Sequence, residues 1–582
     1  MTMATGKYKW LFTCIIHLLV FSCVCGQDVK SLNESNQSVT WSQALERYKN
    51  LAAKYDEAEL FEAGLTDCGK PLNFFVISKS KVFDPVTARQ KGYAVVLINN
   101  GIHAGEPDGI DACIRISESY LKGNLSLPEN VVIVIIPVFN IDGSLNRGCC
   151  SRANQNGPEQ YGFRGNSRNL DLNRDFIKCD AENTRSFIKL FREWDPDVFI
   201  DTHVSDGADY PYVMTLISTQ HDKLGGAAGK YLYEKMTPAL FKNMETLKSP
   251  MTPYVNTLKY DDDPSEGIYA YSESARYTTG YAALFQSFSF VTETHMLKPF
   301  AERVKSTISF IRSAVEFTAL NAAEIQRIRK QTRAGFRNAE TMGFNFKVDT
   351  AQFDTINFRG YTAEIRKSPV TYSDQLYYDR NKPYTRPIRY YNHFVADDTV
   401  QIPKQYIVPQ AWKEVVERLK LNQVQMNRVA SDTIVTVSAY VIDDVKTVTE
   451  PYEGHYLHKE VNCHIEKRDV QLFAGDYVVP TDQDAVRYIV EALEPASTES
   501  FFAWGFFDSI LQQKEWFSAY VFDDKAREIL EGNKELKEAF EAKRATDPVF
   551  ASDAFAQLYF IYKSSPYFEK SFHVYPVYRI MR

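Results

Sequence analysis

The feature that most constrains the fold is an apolar run followed directly by a short polar turn. Residues 93–98 read Tyr-Ala-Val-Val-Leu-Ile, and the turn at 99–107 contains His103 and Glu106. A continuously apolar run of this kind is typical of a buried strand. A strand that ends in His-x-x-Glu brings together an imidazole and a carboxylate, a pair that suits a zinc ion. Such a short motif also occurs in ordinary polar loops, so residues elsewhere in the chain are needed to show whether it binds a metal.

Apolar runs alternate with amphipathic segments between about residues 73 and 291. The pattern predicts strands at 74–77, 94–98, 131–138, 198–200 and 288–291, and helices at 108–121 and 182–194. Short, continuously apolar strands between helices indicate an α/β domain with a mostly parallel, buried sheet. In such sheets functional residues collect beyond the carboxyl ends of the strands.

Three of the predicted strands end in residues that could share one cleft. The first runs into His103 and Glu106, the second into His203 and the third into Glu293, and the loop at 162–175 is rich in charged groups. Catalytic zinc takes three protein ligands and leaves a fourth position to water, so the two histidines and Glu106 are a candidate ligand set. A hydrogen-bonded core histidine is the alternative for His203.

Two further side chains in this region have candidate structural roles. A ligating imidazole normally gives its other N–H to a carboxylate or carbonyl, and Asp171 is a candidate partner for His103. His295 follows Glu293 by two residues, and we expect a structural role for it.

The start of the chain predicts export. Lys7 and Lys9 precede an apolar segment at residues 10–21, and small residues follow up to residue 26. This is the pattern of a signal peptide covering residues 1–26, with cleavage before Gln27 and a periplasmic or secreted product. A lipoprotein anchor on Cys23 is the less favoured alternative. Residues 27–40 are polar and predict a flexible lead-in, and no later stretch is long enough for a transmembrane segment.

The cysteines indicate which disulfide bonds can be expected. Six cysteines lie beyond the predicted signal. Adjacent Cys149 and Cys150 are the best candidates for oxidation, and reduced thiols are equally compatible with the sequence.

With 67 basic and 74 acidic residues the net charge is −7, and no basic block could follow a phosphate backbone. Nucleic acid is therefore not an expected partner.

Several short motifs occur in the order found in the zinc carboxypeptidases. The segments that resemble that family are Gly-Ile-His-Ala-Gly-Glu at 101–106, Arg164-x-Asn166 with Asp-Leu-Asn-Arg at 171–174, Asp201-Thr-His203, and the late Glu293. The resemblance covers roughly residues 45–320. It implies a mixed, mainly parallel eight-stranded sheet flanked by helices, with zinc at its carboxyl edge.

The resemblance also implies a role for each matched residue. Glu293 would be the general base on metal-activated water, and Arg164 would stabilise the oxyanion, with Arg168 as the less favoured candidate. Asn173 and Arg174 would grip the terminal carboxylate of the substrate. The family's substrate-closing tyrosine could be either of two residues, Tyr269 or Tyr271, and the spacing does not choose between them.

The combined interpretation is an exported zinc carboxypeptidase with one Zn²⁺ per chain, acting on peptides with a free C-terminus. Two alternatives stay open: a zinc deacylase of N-acyl amino acids, similar to aspartoacylase, and a non-catalytic binding protein on the same scaffold. Because 582 residues exceed the size at which one core keeps growing, we expect more than one domain. The predicted division is a catalytic domain at 40–325 and a β-rich C-terminal domain with a helical tail, of unknown role, at 334–582.

Overall fold

The computed structural model of the protein describes residues 28–259 and 263–582. The predicted signal peptide at 1–26 lies outside these residues. Among the helices of the described part, none is both long and apolar enough to cross a membrane.

Ten strands lie between residues 58 and 295. In chain order they are β1 (Ala58–Leu65), β2 (Pro71–Ser78), β3 (Ala94–Asn100), β4 (Val131–Ile136), β5 (Val198–Ser205), β6 (Met214–Ser218), β7 (Met251–Pro253), β8 (Asn256–Thr257), β9 (Ile268–Tyr269) and β10 (Phe288–His295).

Eight of these strands form one mixed sheet in the order β1-β2-β4-β3-β5-β10-β6-β7. The pairs β4/β3, β3/β5, β5/β10 and β6/β7 are parallel, and the other three pairs are antiparallel. Every residue of β3, β4 and β5 is buried, which explains the apolar runs at 94–98, 131–136 and 198–200. The predicted mainly parallel eight-stranded sheet is therefore confirmed.

Helices cover both faces of the sheet and continue into the tail. In chain order they are α1 (Val29–Glu34), α2 (Trp41–Lys54), α3 (Pro85–Gln90), α4 (Asp108–Leu121), α5 (Ile141–Leu145), α6 (Glu182–Trp194), α7 (His221–Leu224), α8 (Gly226–Tyr231), α9 (Thr237–Thr246), α10 (Thr278–Leu284), α11 (Phe300–Arg337), α12 (Lys413–Leu421), α13 (Val486–Leu493), α14 (Ala519–Gly532), α15 (Lys534–Thr546), α16 (Pro548–Ser552) and α17 (Ala554–Lys563). A π-helical turn at Leu232–Met236 joins α8 to α9.

The region after α11 is rich in strands and ends in helices, as predicted. Its strands are β11 (Thr341–Val348), β12 (Asp354–Lys367), β13 (Asp374–Tyr391), β14 (Phe394–Gln401), β15 (Gln405–Val408), β16 (Asn427–Arg428), β17 (Thr433–Thr447), β18 (His458–Leu472), β19 (Tyr477–Pro480) and β20 (Tyr578–Ile580). Buried apolar residues of this region, such as Tyr488 and Trp504, belong to the same continuous cluster as those of the large sheet. The proposed boundary between the two domains stays a prediction.

The expectation of a flexible lead-in at 27–40 is wrong for the described residues. Residues 29–34 form α1, in which Val29 and Leu32 are buried. Asn33 donates a hydrogen bond to Asp111 of α4 at 2.9 Å. Although the segment is mostly polar, Val29 and Leu32 are spaced three apart and lie on one face of the helix. Their burial is enough to pack this short helix against the core.

The adjacent cysteines Cys149 and Cys150 are joined by a disulfide bond, which was one of the two states the sequence allowed. The other four cysteines of the described chain are unpaired thiols.

Candidate active site

The His-x-x-Glu motif occupies a tight turn directly after β3. Gly101 starts the turn with φ of 65°, a left-handed conformation that costs glycine little. The backbone N–H of Glu106 donates to the carbonyl of His103 at 2.9 Å, which closes the turn. The turn thereby holds both side chains on the same side of the chain, at the carboxyl edge of the sheet.

Three potential metal ligands converge at this edge. His103 Nδ1 lies 3.1 Å from Glu106 Oε1, and His203 Nδ1 lies 3.2 Å from Glu106 Oε2. All three residues are buried, and their ligand atoms lie within 4.8 Å of one another. Glu106 Oε2 also accepts a hydrogen bond from the N–H of Val204 at 2.9 Å, which ties the turn to β5.

A carboxylate orients each imidazole by contacting its Nε2 atom. His103 Nε2 lies 3.0 Å from Asp171 Oδ1, and His203 Nε2 lies 2.8 Å from Asp201 Oδ2. Carboxylate–histidine pairs of this kind fix the ring orientation in zinc sites and leave Nδ1 for the metal. Two imidazole nitrogens and one carboxylate form the donor set of a catalytic zinc site, so these residues fit Zn²⁺.

The electrostatics of the ligand cluster favour a bound cation. Burial opposes ionisation of Glu106, but His103, Arg152 and His203 outweigh burial and hold its pKa well below the ordinary value. Burial lowers the pKa of His203, but Asp201 and Glu106 outweigh burial and raise it well above the ordinary value. The cluster thus attracts positive charge, and a metal ion would take the place of the imidazole proton.

Glu293 lies on β10 beside the ligand cluster. In the parallel pairing of β10 with β5, Glu293 is the register partner of His203, so both side chains point to the same face of the sheet. Burial, opposed by His203 and reinforced by Glu106 and Glu273, raises the pKa of Glu293 to about 8. A cation among the ligands would offset the repulsion between carboxylates and favour the ionised form of Glu293.

A cleft of about 400 Å³ joins the ligand cluster to the other predicted site residues. Arg164, Asn173, Arg174 and Glu293 all line it, together with His103, Glu106 and His203. All seven side chains predicted from the sequence therefore share one cleft. Their catalytic roles stay predictions.

The two arginines in the cleft have different surroundings. Arg164 donates from Nε to Asp171 Oδ2 at 2.9 Å, and its side chain is 44% exposed. Arg174 stacks on the ring of Tyr277 with its guanidinium carbon 4.3 Å from the ring centre, and its side chain is 20% exposed. Arg168, the less favoured alternative to Arg164, donates to the carbonyl of Asp180 and does not line the cleft.

The cleft is lined by one of the two candidate tyrosines. Tyr271 lines it beside Tyr254 and Tyr277, whereas Tyr269 lies on β9 and does not. His295 is buried, and its Nε2 lies 2.9 Å from the carbonyl oxygen of Ala208 while its Nδ1 accepts from a backbone N–H.

Arg152 is a residue of the cleft that the sequence did not single out. Its Nη1 donates to Glu106 Oε1 at 2.8 Å, and its Nη2 donates to the carbonyl of Val204 at 3.1 Å. Tyr161 Oη accepts from the backbone N–H groups of Cys150 and Arg152, both at 3.0 Å, and so holds the disulfide-bearing loop against the site. The loop has no regular structure, and its sequence carries no periodicity that could have indicated this contact.

The C-terminal region also touches the site. Glu453 accepts a hydrogen bond from the backbone N–H of Asp171 at 2.8 Å. Asp180, on the same loop, lies 2.9 Å from Arg418 Nη2 and 2.7 Å from His455 Nε2. The β-rich region therefore supports the loop that carries the partner of His103.

We expect Asp171→Asn to lower zinc affinity by about 10- to 100-fold, because the amide supports the neutral tautomer and basicity of His103 less well than the carboxylate does. Competition with a chromogenic chelator would measure the change. Asp142→Asn is the matched control, because Asp142 bonds Ser167 on the same loop and contacts neither imidazole. An equal loss of affinity in both variants would contradict a specific role for Asp171.

Comparisons with known proteins agree on one family. Residues 45–287 match the family model described as zinc carboxypeptidase. Carboxypeptidase 2 of Trichophyton tonsurans is 22% identical over 457 residues, which cover 75% of this chain and 77% of that protein. Carboxypeptidase 2 of Trichophyton rubrum is 23% identical over 454 residues, with the same two coverages.

Among solved structures, carboxypeptidase A from Helicoverpa armigera aligns with 49% of this chain and 74% of its own, at 14% identity and a TM-score of 0.36. Six of the seven predicted site residues fall inside the matched segment, and the seventh, Glu293, falls just beyond it. Residues 45–287 of this chain therefore form a zinc carboxypeptidase domain.

Proposed function

We propose that this protein is a zinc-dependent carboxypeptidase that removes C-terminal residues from peptides, with one zinc at His103, Glu106 and His203. The match of residues 45–287 to the zinc carboxypeptidase family model, and the similarity to carboxypeptidase 2, support peptide carboxypeptidase activity. The observation that carries the finer proposal is the convergence of these three ligands with Glu293 and Arg174 in one cleft.

In the proposed reaction Glu293 moves the proton. Zinc in this site supplies a Lewis acid that lowers the pKa of water. Glu293 accepts the proton of the attacking water at a carboxylate oxygen while the new C–O bond forms. It then donates that proton to the amide nitrogen as the C–N bond breaks, which releases a neutral amine and regenerates the carboxylate.

Arg164 and Arg174 have different roles in the proposed reaction. Arg164 is accessible from the cleft, where its N–H donors would stabilise the negative charge that develops on the carbonyl oxygen. Arg174 would pair with the C-terminal carboxylate of the peptide, because a guanidinium offers parallel donors to two oxygens. Asn173 would add a neutral hydrogen bond beside it, and Tyr271, which lines the cleft, would cover the bound residue.

Arg152 has a positioning role in this proposal. It contacts Glu106 directly, and it is one of the cations that hold the pKa of Glu106 low. Glu106 therefore stays ionised, as a metal ligand must be.

The test of the function is a comparison of three substrates of matched sequence: a free-acid peptide, its C-terminal amide, and an N-acyl amino acid. We expect rapid hydrolysis of the free-acid peptide only. The amide lacks the terminal carboxylate that Arg174 would bind, and the N-acyl amino acid lacks the peptide. Equal hydrolysis of the amide and the free acid would contradict an exopeptidase. Preference for the N-acyl amino acid would indicate the deacylase instead.

We expect Arg174→Ala to raise KM for free-acid peptides by about 10- to 100-fold, the equivalent of a lost hydrogen-bonded charge pair, with a smaller change in kcat. Arg174→Lys should recover only part of the loss, because lysine keeps the charge and lacks the fork. Steady-state kinetics would measure both. Arg168→Ala is the matched control, since it removes an arginine from the same loop but outside the cleft. An unchanged KM in Arg174→Ala would refute carboxylate recognition by this residue.

A further inference from the structure

A second group of two histidines and one aspartate lies outside the cleft. His221 and Asp222 are the first residues of α7, and His393 lies in the turn between β13 and β14. One ligand atom from each of the three lies within 4.8 Å of the others. The donor set is two imidazoles and a carboxylate, chemically equivalent to the set of the proposed active site.

His221 has a nitrogen that the protein does not satisfy. Its Nε2 is buried and takes part in no hydrogen bond, although Asp222 Oδ2 lies 3.4 Å away. Within residues 28–259 and 263–582, it is the only buried histidine nitrogen in this condition. A buried polar nitrogen without a partner is costly, and a metal ion would satisfy it.

The surroundings hold His221 and Asp222 in place. The ring of His221 stacks on Tyr233 with 4.4 Å between ring centres, and Tyr233 Oη donates to Asp354 at 2.8 Å. Asp222 Oδ2 accepts from the N–H of Phe394 at 2.8 Å and lies 3.8 Å from His393 Nδ1. Stacking and a hydrogen bond thus position His221 and Asp222 before any ion arrives, and the ring of His393 lies 5.2 Å from that of His221.

The group is sheltered but reachable. The side chains of His221, His393 and Asp222 are 14%, 22% and 33% exposed. An ion could enter from solvent, and a water molecule could complete the coordination. Two neutral imidazoles with one carboxylate suit a borderline ion such as Zn²⁺ better than Ca²⁺ or Mg²⁺, which prefer oxygen ligands.

We infer that His221, Asp222 and His393 form a second zinc site that joins the α/β domain to the β-rich region. Two of the ligands come from the segment after β6, and the third comes from the turn that connects β13 to β14. The ion cross-links chain segments more than 170 residues apart. The site takes no part in the proposed hydrolysis and does not depend on it.

Zinc binding in the absence of the first site is the decisive measurement. In His103→Ala/His203→Ala, dialysed free of metal and then equilibrated with Zn²⁺ alone, we expect one zinc per chain by elemental analysis. A hundredfold excess of zinc over its Kd should raise the unfolding midpoint by about 2 °C. Adding His221→Ala and His393→Ala should abolish both the binding and the shift.

Two results would overturn the inference. One is a folded His103→Ala/His203→Ala protein that binds no zinc. The other is zinc retained in full after His221 and His393 are also replaced.

If the double variant does not fold, wild type and His393→Ala are compared directly, and the inference requires two zinc ions in wild type and one in the variant. Equal counts would refute it. His464→Ala is the control for adventitious binding, because exposed His464 also lies beside two carboxylates, Asp443 and Glu466. Failure of this site would leave the proposed hydrolysis intact, because activity depends on His103 and His203.

Discussion

Glu293→Gln is expected to lower kcat by about 10²- to 10⁴-fold, the range that a positioned general acid–base contributes. Glutamine is nearly isosteric with glutamate, but its amide cannot accept the proton of the attacking water. It also cannot deliver that proton to the leaving amine. Because Glu293 is not one of the three proposed ligands, the zinc content of the variant should equal that of wild type.

Glu302→Gln provides the matched control for this prediction. Glu302 is an exposed glutamate in the first turn of α11, a short distance along the chain from Glu293. Steady-state kinetics on a free-acid peptide and elemental analysis should show a loss of turnover in Glu293→Gln only. A kcat within about tenfold of wild type would exclude Glu293 as the base, because that loss is smaller than general acid–base catalysis supplies.

The sequence was most informative where structure is local. The strands β3, β4 and β5 could be recognised because a strand buried on both faces contains a continuous apolar run, here at 94–98, 131–136 and 198–200. The helices at 108–121 and 182–194 were predicted with their observed bounds. Since functional residues follow the carboxyl ends of such strands, the candidate ligands and Glu293 could be assigned to one sheet edge from the sequence alone.

Contacts between distant segments could not be predicted in the same way. Arg152 reaches Glu106 from an irregular loop, and Glu453 reaches the backbone of Asp171 across 282 residues. Neither residue lies in a pattern with a period, so only the three-dimensional structure brings them to the site. The sequence could not choose between Tyr269 and Tyr271 for the same reason, because the choice depends on where β9 ends.

His203→Ala is expected to remove one zinc equivalent relative to wild type and to lower kcat/KM by about 10³-fold or more, the scale of the several kcal/mol that a Lewis acid contributes. His203 provides one of only two imidazoles in the cluster, and its Nδ1 lies 3.2 Å from Glu106 Oε2. Without it, Glu106 and His103 are left as two ligands, and Asp201 loses the imidazole that it orients at 2.8 Å. A zinc count by elemental analysis and kinetics on the same preparation would measure both effects.

His295→Ala distinguishes loss of a ligand from loss of a buried histidine. His295 lies two residues beyond Glu293, is buried like His203, and has both ring nitrogens occupied by backbone groups. Its replacement should lower the unfolding midpoint, because buried backbone partners lose their hydrogen bonds, yet it should leave the zinc count unchanged. If His203→Ala retained the wild-type zinc count, or if both variants lost the same zinc equivalent, the assignment of His203 as a ligand would be wrong. Only a direct role in binding the ion predicts that two buried histidines at the same sheet edge differ in this way.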